Sequence, residues 1–90
     1  LADFETAKKY TDTPVFIPAC SQASDYLAVQ SRKDFLTMAS VVHASRNAYQ
    51  QADVEARDLD VFEVHDSFTI AELIAYEDLG LVKKGEGSKL

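Results

Sequence analysis

The amino-acid sequence predicts an α/β fold, because two apolar segments typical of strands alternate with two segments of helical periodicity. The predicted order is β-α-β-α, with strands at 14–20 and 59–65 and helices at 34–52 and 69–79. Strands joined by a right-handed crossover helix lie parallel in one sheet. Since two strands make a poor sheet by themselves, the order also predicts that further strands come from more chain or from a partner.

The first predicted strand is the short apolar run Pro14-Val15-Phe16-Ile17-Pro18-Ala19-Cys20. Its two prolines place it at a strand end or a sheet edge, because proline cannot donate to a β-ladder. Residues 1–12 before it form a polar lead, and the turn residues around Pro14 mark the boundary. Residues 21–33 after it lack a clean period, which predicts a loop that holds a short helical turn.

Asp34 is the predicted N-cap of the first helix, which is followed by an apolar stripe near a period of 3.6 residues. The second strand, 59–65, is β-branched and aromatic-rich. Thr69 and Glu72 form a predicted capping box at the start of the second helix, and Gly80 stands where a left-handed C-cap belongs. The remaining tail, 83–90, is predicted to be a flexible loop.

Composition narrows the class of protein. The 90 residues allow one small domain at most, and the 47% hydrophobic content argues against disorder. A net charge of −6 disfavours nucleic acid and anionic membranes as partners, because both carry negative charge. The lone cysteine cannot form an internal disulfide, and no signal peptide or membrane-spanning stretch is seen. These features predict a cytoplasmic location.

The most informative polar cluster is His65-Asp66-Ser67-Phe68, at the C-terminal end of the second predicted strand and just before a helix. Open α/β sheets bind ligands at this position. The His65 imidazole could donate to a developing oxyanion or transfer a proton near neutral pH. In the alternative interpretation, Asp66 and Ser67 cap backbone amides and His65 satisfies a buried polar site.

Other candidates are weaker. Cys20 has no nearby base or glycine-rich turn, which favours the role of a small buried hydrophobe. His43 lies beside the apolar stripe of the first predicted helix and has no partner at i±4, which favours a core or interface histidine. No spacing typical of a metal site is present.

Three carboxylates of the second predicted helix have structural explanations. Glu72 belongs to the capping box, and Glu77 and Asp78 are predicted to lie on a solvated face. Gly85 and Gly87 stand among lysines that could cradle a phosphate, but the strand and helix that flank a phosphate-binding loop are missing around them.

From the HDSF cluster onward the sequence resembles a known family. The segment VFEVHDSFTIAELIAYEDLGLVKKGEGSKL is similar to the C-terminal half of thiolases. The similarity is to the sterol-carrier-protein-X type and to archaeal acetyl-CoA acetyltransferases, which share an HDxF motif, an EDLG-like sequence and a KGEG-like loop. It extends upstream through RKDFLTMASVVHASRNAYQQADV and TDTPVF to about residue 13.

The resemblance implies a layered thiolase fold and a reaction that makes or breaks a carbon–carbon bond in an acyl-CoA. It implies that His65 helps to form an oxyanion hole for the thioester. Phe68 matches the aromatic residue of the motif, Asp66 matches an acidic residue of mainly structural role, and Ser67 falls at the variable third position.

The resemblance also implies that the acyl-carrying cysteine and a GHP segment lie outside these residues, because Cys20 aligns with neither catalytic cysteine of the family. The expectation is therefore a fragment of a thiolase C-terminal domain that is inactive by itself. Coenzyme A thioester is the implied substrate, with no covalently bound cofactor and no metal. The apolar sheet and helix faces that such a piece leaves uncovered predict a homo-oligomer, and the resemblance implies a small OB-fold protein as a further partner. The alternative hypothesis is a non-catalytic acidic α/β interaction module.

Overall fold

The computed structural model describes residues 1–90 and contains helices and turns but no β-strand. The helices are α1 (Phe4–Ala7), α2 (Ala39–Ala52) and α3 (Thr69–Asp78). Short 3₁₀ turns lie at Val29–Ser31, Ala56–Asp58 and Gly87–Lys89. The helix α3 contacts both α2 and the last 3₁₀ turn, so it lies at the centre of the packed part of the chain.

The two predicted strands, 14–20 and 59–65, are not formed by these 90 residues, so the strand predictions are not confirmed. The Leu59 N–H donates to the Ala56 carbonyl of the preceding 3₁₀ turn, but neither segment makes any other backbone–backbone hydrogen bond, and the two do not pair with each other. A strand requires the backbone of a neighbour to satisfy its N–H and C=O groups, and no neighbour is present. The layered α/β arrangement is therefore not formed by these 90 residues.

The second segment nevertheless has the burial pattern of a strand. Phe62 and Val64 are half-buried, whereas Val61, Glu63 and His65 are exposed. This alternation has the period of two that places successive side chains on opposite faces. The segment thus has one face on the protein and one face without cover.

Helix α2 begins five residues later than predicted, and Asp34 is not its N-cap. The Asp34 carboxylate accepts hydrogen bonds from the Leu36 N–H at 2.8 Å and from the Thr37 hydroxyl at 2.9 Å. This local turn competes with a helix start, as aspartate side chains often do. The observed N-cap is Met38, which has no side-chain acceptor of its own.

The capping box predicted for Thr69 and Glu72 is also wrong. Helix α3 has Phe68 as its N-cap and no side-chain cap, and the Glu72 carboxylate instead accepts a hydrogen bond from the Tyr76 hydroxyl. A residue four positions away on the same helix face is within reach of the glutamate.

Gly80 confirms the predicted C-cap. Its φ is +81°, and the Leu81 N–H donates to the Tyr76 carbonyl at 3.0 Å, while the Gly80 N–H donates to the Glu77 carbonyl. These two bonds form a Schellman motif, which needs a left-handed residue after the helix. Local sequence is enough to determine this end of α3.

Asp78 joins α3 to two other segments. Its side chain is fully buried, which overturns the solvated face predicted for it. One carboxylate oxygen accepts from the Met38 N–H at 2.7 Å, and the other lies 2.5 Å from Lys84 Nζ. Lys84 also donates to the Leu36 carbonyl at 2.6 Å. Asp78 therefore supplies the acceptor that α2 lacks at its start.

Glu77 binds the C-terminal segment of the chain to α3. Its carboxylate accepts from the Gly87 N–H at 2.9 Å and lies 3.8 Å from Lys84 Nζ. The hydrogen bond from Gly87 is the first cause that lowers the pKa of Glu77 below its ordinary 4.5, with the Gly85 N–H second. The mobility expected for 83–90 stays a prediction, but these residues contact α3.

The chain has almost no core. Ala75, Asp78 and Gly87 are its only buried residues, and large apolar side chains such as Val15 and Leu27 are more than nine-tenths exposed. The radius of gyration is 16.0 Å, whereas a compact chain of this length has about 12 Å. Composition predicts one small domain, but the structure shows an elongated segment whose apolar faces lack cover.

We expect the Asp78–Lys84 pair to stabilise the packed part of the chain. Lys84→Met should lower the free energy of unfolding by about 1–2 kcal/mol, less than the loss for a fully buried pair because the lysine is half-exposed. Adding Asp78→Asn should restore part of that loss, since the unpaired buried charge is then removed. Urea unfolding of the native gene product measures both effects.

Lys89→Met is the matched control for this experiment. It removes the exposed ion pair with Glu86, and we expect a change below about 0.5 kcal/mol. Equal losses for Lys84→Met and Lys89→Met would show that the Asp78 contacts do not hold the segments together.

The lowered pKa of Glu77 predicts a loss of stability in acid. Because the pKa is lower in the folded state, the stabilising contribution is present above 4.5 and is lost as the pH falls through the folded value. The free energy of unfolding should therefore fall more steeply from about pH 6 to about pH 3 in the native protein than in Glu77→Gln. Parallel pH profiles for the two proteins would contradict this prediction.

Candidate functional site

The HDSF cluster connects segment 59–64 to α3. His65, Asp66, Ser67 and Phe68 are all exposed, and Phe68 leads directly into the first helical turn. Phe68 has extended backbone angles, and its carbonyl accepts from the Ala71 N–H at 2.7 Å. The start of α3 thus fixes the backbone that follows His65.

The structure differs from both parts of the alternative interpretation of the HDSF cluster, in which Asp66 and Ser67 cap amides and His65 is buried. Asp66 and Ser67 cap no backbone amide, because neither side chain makes a hydrogen bond. His65 does not fill a buried polar site, because its side chain is exposed. The imidazole and the hydroxyl can therefore meet a ligand or a further protein surface.

The orientation of His65 follows from the alternating burial of the segment before it. Phe62 and Val64 line a groove together with Glu72 and Tyr76 of α3. Side chains an odd number of positions apart lie on opposite faces of such a segment. His65 therefore lies opposite Phe62 and Val64, on the uncovered face that it shares with Val61. The groove under the segment thus determines the face on which the imidazole is presented.

The negative charge of Asp66 acts on Tyr76, which lines the same groove. The pKa of Tyr76 is raised, first because its hydroxyl donates to Glu72, then because of burial and the negative charges of Glu72 and Asp66. Sequence analysis missed the pairing of Glu72 with Tyr76, although their i, i+4 spacing was the signal that could have revealed it.

The other candidates lie apart from any recognisable constellation. Cys20 is exposed rather than buried, and its N–H donates to the side-chain oxygen of Gln51 at 3.3 Å. His43 is exposed on α2, so of its two expected positions the core is wrong and the interface stays a prediction. No group of three His, Cys, Asp or Glu residues could hold a metal ion.

Residues 83–90, which contain Gly85 and Gly87, do not form an open phosphate-binding loop. Lys84 is bound to Asp78, and Lys89 Nζ lies 2.6 Å from Glu86. Gly87 is required by close packing, because a Cβ at this position would lie 2.6 Å from the Leu73 carbonyl oxygen. None of the helices has the length and the apolar character of a membrane span.

Comparisons with known proteins agree with the resemblance. The chain is 44% identical over 89 residues to the acetyl-CoA acetyltransferase of Methanothermobacter thermautotrophicus, and the aligned region covers 99% of this chain and 23% of that protein. It is 41% identical over 92 residues to the acetyl-CoA acetyltransferase of Methanocaldococcus jannaschii, covering 100% of this chain and 24% of that protein. Sterol carrier protein 2 of Bos taurus is 47% identical over 47 residues, covering 52% of this chain and 9% of that protein.

The chain spans about a quarter of the length of the two acetyltransferases. Residues 21–90 match the family model described as thiolase C-terminal domain-like, and this match includes α2, the HDSF cluster and α3. The chain therefore belongs to the thiolase C-terminal domain-like family.

Proposed function

We propose that these residues form part of a thiolase-type, CoA-dependent acyltransferase. The observation that carries this proposal is the 44% identity to an acetyl-CoA acetyltransferase, which spans nearly the whole chain and so includes the HDSF cluster. The reaction is the thiolysis of a 3-ketoacyl-CoA or its reverse, a Claisen condensation. The substrate is a coenzyme A thioester, with no covalently bound cofactor. The alternative of a non-catalytic interaction module is not favoured by these relatives.

In this proposal His65 donates a hydrogen bond to the thioester carbonyl oxygen. When a thiolate adds to the carbonyl carbon, negative charge develops on that oxygen, and a donor already in place stabilises it. Two features support the assignment to His65: the imidazole is exposed, and the backbone on either side is held by the groove and by the start of α3. Ser67 and Asp66 flank this donor, and Phe68 joins it to the helix.

The acyl-carrying nucleophile in this proposal comes from outside the described residues. Cys20 is unsuited to this role, because its exposed thiol makes no hydrogen bond to a base that could activate it. An oxyanion donor without a nucleophile has no intermediate to stabilise. We therefore propose that these 90 residues do not turn over substrate by themselves.

We further propose that other chain or other copies cover the apolar faces. Val15, Phe16 and Ile17 are each more than three-fifths exposed, and Phe35 and Leu36 are similarly exposed near the start of α2. Exposed apolar surface of this kind marks surfaces that contact protein. A homo-oligomer is the proposed assembly, and a small OB-fold protein is a further proposed partner.

Replacement of His65 tests the proposed reaction. In the product of the complete native reading frame, His65→Ala should lower kcat for thiolysis of acetoacetyl-CoA by about a hundredfold to a thousandfold, the usual cost of losing an oxyanion donor. His65→Asn should retain more activity, since its amide can still donate. The rate of acetoacetyl-CoA consumption in the presence of CoA measures this effect.

His43→Ala is the matched control, because His43 is an exposed histidine on α2 outside the cluster. Its rate should equal that of the native enzyme. A native rate for His65→Ala, or no thiolysis by the unmodified protein, would overturn the proposed function.

A further inference from the structure

Glu72 and Tyr76 form a pair on one face of α3 that the proposed reaction does not use. They stand at i and i+4, and the Tyr76 hydroxyl donates to the Glu72 carboxylate. Both side chains are half-buried, although the chain has almost no core. The bond satisfies the polar end of the tyrosine and leaves its ring available for packing.

The pair forms one wall of the groove that holds the segment before His65. Phe62 and Val64 from that segment line the same groove, and both are half-buried. Because side chains in such a segment alternate between faces, the seating of Phe62 and Val64 determines which face His65 occupies. A slip by one residue would exchange the two faces and turn the imidazole toward α3.

We propose that the Glu72–Tyr76 pair is a positioning device for His65, which maintains the register of segment 59–64 against α3. The inference rests on the proposed function, in which His65 is the oxyanion donor. Without the hydroxyl, the Glu72 carboxylate loses its donor beside apolar side chains, which is unfavourable for a partly buried charge. The wall then loosens, and the imidazole loses its fixed position.

The test is a double-mutant cycle between Tyr76 and His65 in the product of the complete native reading frame. Tyr76→Phe removes only the hydroxyl, and we expect kcat for thiolysis of acetoacetyl-CoA to fall about tenfold with little change in KM, because misplacement of a catalytic group affects the chemical step. In the His65→Ala background the same change should cost less than about twofold, since no imidazole remains to be positioned.

Tyr49→Phe is the matched control. It also removes a hydroxyl that donates a hydrogen bond from one helix, at 2.8 Å to the Leu79 carbonyl, but it lies outside the groove. Its effect on kcat should be the same with and without His65. A purely structural role for Tyr76 would give this additive behaviour as well, so additivity for Tyr76→Phe overturns the proposal.

A second pair of variants decides the matter if Tyr76→Phe does not fold, as judged by its helical circular dichroism. Glu72→Gln keeps an oxygen that accepts from the Tyr76 hydroxyl, whereas Glu72→Leu does not. We expect the glutamine variant to retain most of the native kcat and the leucine variant to lose about tenfold. Equal rates for these two variants overturn the proposal.

Failure of the proposed function is visible separately. If His65→Ala alone has the native rate, His65 is not the donor, and the positioning role falls with it. If His65→Ala is impaired but Tyr76→Phe and Glu72→Leu have native rates, the proposed function stands and only the positioning role is wrong.

Discussion

The packed part of this chain depends on one buried carboxylate. Asp78 is fully buried, and burial of a charge is unfavourable unless each oxygen finds a donor. One donor is the Met38 N–H, which has no cap from its own segment, and the other is Lys84, which also binds the Leu36 carbonyl. The same side chain therefore fixes the start of α2, the end of α3 and the approach to the last turn.

The second constraint is the missing core. Three buried residues cannot offset the loss of conformational entropy of a 90-residue chain, so the apolar faces of the segments need other protein surface. Membership of the thiolase C-terminal domain-like family and the fourfold greater length of the acetyltransferases agree with this need. His65 lies on the uncovered face of segment 59–65, which leaves its imidazole accessible to a ligand or to further protein surface.

Sequence reasoning succeeded where the determinants were local. The periodicity of the apolar residues predicted α2 and α3, and Gly80 predicted the left-handed end of α3, because each depends on neighbours within a few residues. It failed at the starts of both helices. Asp34 is used in its own turn, and the cap of α2 comes from Asp78, which is 40 positions from Met38 along the chain. No local pattern contains that contact.

The strands and the site illustrate the same limit. The composition of 59–65 indicates a strand and its burial alternates like one, but a ladder needs a neighbour that these residues do not supply. The position of His65 before a helix was predictable from the order of elements. The hydrogen bond between Tyr76 and Glu72 in the adjoining groove was not predictable, because the capping-box pattern suggested a different partner for the glutamate.

We propose that segments 14–20 and 59–65, which form no ladder among these 90 residues, pair with protein outside the described residues. Amide hydrogen exchange of the native gene product tests it most directly. We expect slow exchange for alternate or successive amides in both segments, since ladder hydrogen bonds protect them. Exchange of both segments as fast as in an unfolded peptide would contradict the claim.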